Sequence, residues 1–240
     1  MITVNFNKLN IKPGFKILDI GCGSGRHTCG AYQCQDITVI GSDLNRDDLN
    51  QARKRLLFHD HLGEHGGGTW ALSAADITRL PFKSESFDLI ICSEVMEHIP
   101  DQHRAVQEMV RVLKPGNNLV VSVPRYWPER LYWAISKDYA NSNQGHIRIY
   151  TCGGLTRLLE SHGLKKWDVH HAHSLHTPFW LLKCLVGPTR SDSSAVDLYH
   201  RFLTWDMMTH PRITRFLDYL LNPIMGKSMV LYLRKDANGQ

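Results

Sequence analysis

Residues 16–30 read KILDIGCGSGRHTCG: a short apolar run with an acid, Asp19, near its end, then glycines on alternate positions at 21, 23 and 25. An apolar run of this length that closes on glycine reads as a buried strand. The glycines let the chain turn sharply and bring its amides close to a ligand. The helix expected to begin near Ser24 adds N–H groups with no intrahelical partner. In a parallel sheet such a turn lies beyond the carboxyl end of its strand, where ligands bind. The stretch is therefore shaped for a nucleotide-like molecule.

The rest of the chain supports that setting. Residues 15–21, 37–43, 69–75, 86–94 and 118–124 read as strands, and 45–58 and 101–116 as the helices between some of them. Asn45 is a natural N-cap there, with Asp47 and Asp48 in the first turn. Strands alternating with helices imply parallel pairing through right-handed crossovers, so the expected fold is α/β, Rossmann-like and doubly wound. A helix over 151–163 and strands over 164–174 and 227–235 follow. The glycine-rich stretch 58–70 reads as a flexible loop.

Composition narrows the function. The chain has 240 residues, 42% of them hydrophobic, and a formal charge of +5 that is spread out rather than gathered in blocks. That spread by itself says little about nucleic acid, and no nucleic-acid partner is expected. Six cysteines without a CxxC pair, and an amino terminus without a signal-peptide layout, point to a reducing, cytoplasmic setting. No apolar run is long enough to cross a bilayer.

The glycine turn is not a dinucleotide fingerprint, because Arg26 occupies the place of the final small residue, and no Gly-Lys-Ser/Thr follows it as a Walker loop requires. The HGGG at 65–68 has no G-x-S-x-G partner that would make it part of a hydrolase. Two acids are better placed. Asp43 ends the second strand, where a carboxylate can accept both hydroxyls of a ribose. Asp76 ends the third, within reach of an adenine amino group, with Ile77 against the ring.

Taken in order, ILDIGCGSGR, VIGSDLN, AADITRLPFKSESFDLIICSEVMEHIPD and VRVLKPGNNLVVSVP resemble the class I S-adenosylmethionine-dependent methyltransferases, particularly the small-molecule and quinone-biosynthesis branch. The likeness covers roughly residues 12–170. It implies a mostly parallel seven-stranded sheet whose last strand is antiparallel, and S-adenosylmethionine as cofactor. It places Asp19, Gly21, Gly23 and Gly25 around the methionyl part, Asp43 and Leu44 at the ribose, Asp76 and Ile77 at the adenine, and Ser93 beside the methionyl group. Asn117 departs from the pattern, which carries a second glycine there.

Methyl transfer needs a base only when the acceptor must lose a proton. His98 and His146 are the candidates, and Arg148, Tyr126, Trp127 and Trp180 are candidate acceptor contacts. The histidines at 170, 171, 173 and 176 would place His171 and His173 on one strand face, but no acid or cysteine with ligand spacing accompanies them, so no metal is expected. The expected organisation is one methyltransferase domain over 1–240, with a cofactor half at 12–124, acceptor-side helices at 125–163 and a helical insertion at 175–226 acting as a lid.

The expected acceptor is a small, bulky and largely apolar molecule, met by a monomer or homodimer. Peripheral membrane contact through Trp180, with Lys183 and Arg190 near headgroups, is one use of the insertion. Within it, Ile213, Phe216, Leu217, Leu220 and Leu221 share a helical face that calls for a cover. The other readings are a noncatalytic cofactor-binding regulator, disfavoured by the intact glycine turn, and an RNA methyltransferase, disfavoured by SEVM after the fourth strand.

Overall fold

The computed structural model describes residues 2–142, 146–187, 193–209 and 211–237. Arg190 lies outside them. Strand β1 (Lys16–Ile20) leads through the glycine turn into α1 (Arg26–Tyr32), then β2 (Thr38–Asp43), α2 (Arg46–Leu62), β3 (Thr69–Ala74), β4 (Phe87–Ser93), α3 (Gln102–Val112) and β5 (Leu113–Pro124). Helices α4 (Tyr126–Ile135), α5 (Lys137–Ser142) and α6 (Cys152–Glu160) come before β6 (Leu164–Ala172). Three more, α7 (His176–Val186), α8 (Ser194–Thr209) and α9 (Arg212–Met225), come before β7 (Ser228–Lys235).

The seven strands form one sheet in the order β3-β2-β1-β4-β5-β7-β6. The pairs among β1 to β5 are parallel, and β7 runs antiparallel to both β5 and β6. Strand order reverses between β1 and β4, so a crevice opens beyond their carboxyl ends. Alternation splits each central strand between two cores. Leu18, Ile90, Val121 and Leu231 pack on the side of α3 and α6. Ile17, Ile91, Val120 and Val230 pack with Cys29 and Ala31 of α1 and Leu56 of α2 on the other.

Local chemistry sets the boundaries. Asn45 caps α2 by accepting from the Asp47 N–H at 2.9 Å, and Gly63 ends the helix in the left-handed region at φ +67. Helix α3 stops at Val112, sooner than its apolar spacing predicts, because Leu113 pairs with Phe87 and begins β5. The register then breaks and the Lys-Pro-Gly turn loops out, with Gly116 at φ +74. Asn117 does not take a left-handed φ, so the missing second glycine costs no strain.

The stretch 58–70 is not a loose loop. Helix α2 consumes its first part, and the glycines lock onto the segment before β2. Asp36 N–H donates to the Gly66 carbonyl at 2.9 Å and Gly66 N–H to the Tyr32 carbonyl at 3.0 Å. A Cβ at Gly68 would fall 1.9 Å from the Ile37 carbonyl oxygen. These glycines are required by close backbone approach.

Candidate active site

The crevice holds a cavity of about 630 Å³ lined by Gly21, Cys22, Gly23 and Ser24 on one side and by Ser93, Glu94, Glu97, His98 and His146 on the other. Gly21, Gly23 and Gly25 all take positive φ, at +64, +50 and +80. Gly25 also packs against α2, where a Cβ would come within 2.9 Å of the Ala52 Cβ. Gly23 has open space at that position, so its backbone faces the cavity bare. Helix α1 begins at Arg26, two residues later than expected, with Gly25 as its N-cap.

Asp19 lies under this turn and is not among the residues lining the cavity. It is buried and accepts from the Thr28 hydroxyl at 2.6 Å, which pins the first turn of α1 to β1. Burial pushes its carboxyl up to about 7, against the hydrogen bonds from Thr28. Asp43 reaches the turn directly. Its Oδ2 accepts from the Gly23 N–H at 2.8 Å and its Oδ1 from the Asn45 N–H at 2.9 Å. One carboxylate thus joins the glycine turn to the start of α2 and keeps acceptor capacity for a further ligand.

Leu44 beside it is exposed, and so is Asp76, whose Oδ1 accepts from the Thr78 N–H and hydroxyl, both at 2.8 Å. Ile77 is buried in the α3-side core. None of Asp43, Leu44 and Asp76 is among the residues lining the cavity.

The opposite wall is polar and densely connected. Ser93 Oγ lies 2.9 Å from Thr3 Oγ1 and 2.7 Å from Ser122 Oγ, and Ser122 donates to Glu94 Oε1 at 3.1 Å. Thr3 also donates its N–H to His27 Nε2 at 3.0 Å, and burial holds that imidazole down to about 4. Glu94 sits at φ +56 directly after β4, a strained backbone at the site. Its carboxyl is raised by burial and lowered in part by Lys227.

Glu97 is 1% exposed, and among the described residues neither carboxylate oxygen has a hydrogen-bond partner. Burial first, and Glu94 second, push its carboxyl well above the usual range. His146 meets it with Nε2 at 3.9 Å from Oε1. On its other side, His146 Nδ1 lies 3.0 Å from Glu129 Oε1, a carboxylate on α4 that is itself buried. The His98 ring packs edge-on against the His146 ring at 4.7 Å between centroids. Ligand atoms of Glu97, His98 and His146 lie within 4.8 Å of one another, a set able to share a proton or hold a cation.

Trp180 of α7 lines the same cavity, packing against Tyr139 and under Lys227, whose Nζ lies 5.1 Å from the ring centroid. Its ring therefore faces the cavity. Arg148 is spent on structure, donating to Gln102 Oε1 at 2.9 Å and to the Pro100 carbonyl at 2.9 Å. Tyr126 and Trp127 stand on the outer face of α4 and do not line the cavity.

Strand β6 ends at Ala172, and His173 turns away at φ +67, so the strand alternation that would have aligned it with His171 does not extend that far. Thr3, Glu94, Glu97, Glu129, Tyr139 and Lys227 were not legible as site residues. They come from five separated places in the chain, and only the acids of EVMEH carried a local cue, lying directly after a strand end.

Comparison with known proteins agrees with this geometry. A family profile described as "Methyltransferase domain" matches residues 18–121. The methyltransferase GfsG of Streptomyces halstedii is 33% identical over 117 residues, 49% of this chain and 40% of that protein. The ubiquinone biosynthesis O-methyltransferase of Coxiella burnetii is 26% identical over 174 residues, 69% of this chain and 71% of that protein. A SAM-dependent methyltransferase from Methanosarcina mazei shares the fold with a TM-score of 0.60 at 18% identity, covering 95% of each chain. The chain spans only about 34–42% of the length of the first six curated relatives it matches.

The ordered motifs, the 3-2-1-4-5-7-6 sheet, the glycine turn tied to Asp43 and the match of residues 18–121 to a methyltransferase domain make this chain similar to the class I S-adenosylmethionine-dependent methyltransferases.

Proposed function

We propose that this chain transfers a methyl group from S-adenosylmethionine to a proton-bearing heteroatom of a small-molecule acceptor, with His146 taking the proton. The observation that carries the reading is His146 on the cavity wall opposite the glycine turn, backed by the buried carboxylate of Glu129. The residues present fit the cofactor. A bare glycine backbone and Asp43 suit an amino-acid and ribose end, and the unpartnered carboxylate of Glu97 suits a cationic centre. When bound, S-adenosylmethionine supplies a methyl group already activated by its sulfonium charge.

The chain's residues then position and deprotonate. Asp43 and Leu44 would hold the ribose, Asp76 and Ile77 the adenine edge, and Gly21, Gly23 and Ser93 the methionyl end. Glu129 fixes the orientation of the His146 ring, so the imidazole can receive the acceptor's proton as the new bond forms. Holding the acceptor on the attack line accounts for most of the rate.

Tyr139 and Trp180 offer an aromatic wall for the acceptor body. The bulky, largely apolar acceptor expected from sequence would meet Glu94, Glu97, His98 and His146 at one end of the cavity, so the acceptor we favour presents a hydroxyl or amine there. The position of Trp180 and Lys183 on the cavity supports the insertion as a lid, and six free thiols support a reducing, cytoplasmic setting. The test is transfer of labelled methyl from S-adenosylmethionine to a panel of phenols, amines and thiols. Transfer lost in His146→Ala with product affinity retained is expected; transfer to an aliphatic carbon acceptor alone, indifferent to His146, overturns the reading.

A further inference from the structure

Helix α9 is amphipathic, but its apolar stripe faces outward. Ile213, Phe216, Leu220 and Ile224 are 74%, 64%, 56% and 69% exposed, whereas Thr214 on the inner face is 5% exposed. The inner contacts are polar. Asp218 accepts from the Ser174 hydroxyl at 2.6 Å, and Asn222 Oδ1 accepts from the Ser174 N–H at 2.9 Å. A helix held by its polar side, with its apolar side in water, is the reverse of a core helix. Isolated exposed apolar residues are ordinary, but an exposed helical stripe is not.

The stripe continues onto α4. Trp127 donates its indole N–H to the Ile224 carbonyl at 3.1 Å, which ties the two helices together. Trp127, Leu131 and Ile135, four residues apart on α4, are each more than a third exposed. Charge is sorted in the same sense. The one acid of α9, Asp218, and the one acid of α4, Glu129, both turn inward to partners. Of the arginines, Arg212 and Arg130 are exposed, with Arg130 over the Tyr126 ring at 5.9 Å, whereas Arg125 sits over the Trp127 ring at 6.0 Å while donating to the Asn222 and Pro223 carbonyls, and Arg215 pairs with Asp206.

From this we infer that the outer faces of α9 and α4 form an interfacial membrane-binding surface for an anionic lipid bilayer. Apolar side chains of this kind enter the acyl boundary, amphipathic Trp and Tyr rings settle at headgroup level, and arginines meet lipid phosphates. A second copy of the chain fits less well, since a two-fold interface would set a patch carrying only cations against itself. The inference is independent of the acceptor reading, because it uses none of the cavity residues except Glu129, and that only for the direction it faces.

The experiment is co-sedimentation of the full chain with phosphatidylcholine vesicles, with and without a minority of phosphatidylglycerol. The wild type is expected to sediment with the anionic vesicles and to be released by salt. Phe216→Glu with Leu220→Glu should lower the partition coefficient by more than about tenfold while circular dichroism and S-adenosylhomocysteine affinity stay as in the wild type. The milder Phe216→Ser and Leu220→Ser pair gives the same readout if the charges disturb the helix. Arg130→Gln with Arg212→Gln should remove most of the salt-sensitive part. A wild type that stays in the supernatant, variants that sediment like it, or a lipid-free dimer that the Phe216 and Leu220 changes dissociate would each overturn the inference.

Discussion

His146 Nδ1 and Glu129 Oε1 lie 3.0 Å apart although the two residues are seventeen positions apart in the chain, with all of α5 between them. The carboxylate is buried, and it also lies 3.4 Å from the Tyr139 hydroxyl through its second oxygen. A histidine held in this way has a fixed ring orientation before any acceptor arrives, which is what a positioned base requires.

Removing the base is therefore expected to separate chemistry from binding. His146→Ala should lower kcat by about 10²–10⁴-fold, with little change in the dissociation constant for S-adenosylhomocysteine. Glu129→Gln keeps the shape of the side chain and a hydrogen-bonding group, so it should depress kcat less than the loss of the imidazole does. Steady-state kinetics across pH, paired with calorimetry, reads both.

Asp43→Ala should weaken S-adenosylhomocysteine binding by roughly 1.5–3 kcal/mol, the usual worth of hydrogen bonds to a charged group. The same change leaves the Gly23 and Asn45 N–H groups without their carboxylate, so a modest fall in melting temperature should accompany it. Equal calorimetric affinity in wild type and variant would remove Asp43 from the cofactor site.

The glycines separate by cause. Gly23→Ala meets no neighbour and should cost only about 1–2 kcal/mol for a side chain in the left-handed region. Gly25→Ala adds a collision with Ala52, and Gly68→Ala collides with the Ile37 carbonyl at an ordinary φ. Both should unfold at lower urea than Gly23→Ala, and Gly68→Ala should do so without altering cofactor affinity once folded.

Asp19 gives the chain a defined pH response. Its carboxyl ionises near 3.8 when unfolded and at about 7 when folded, so the folded state binds the extra proton. Stability from this group is full below the unfolded value and is lost as pH rises through about 7. Asp19→Asn should therefore gain on the wild type steadily across that window, although it weakens the contact with Thr28. Urea midpoints measured at several pH values check the slope of the difference.

Much of this architecture follows from the chain's own periodicity. Alternation in β1, β4 and β5, the Asn45 cap and the glycine turn are local facts, decided by sterics and by which face of each element is apolar, and the tertiary structure keeps them. The apolar stripe of α9 was equally legible, but what covers it was not. Periodicity identifies a face; only the competing hydrogen bonds of Ser174 with Asp218 and Asn222 decide that the polar side docks. Likewise Glu97 and Glu129 are ordinary acids in the sequence. They become a site because β4, α4 and the segment before α6 converge where solvent is excluded, and desolvation acts on a carboxylate only after the whole fold has closed around it.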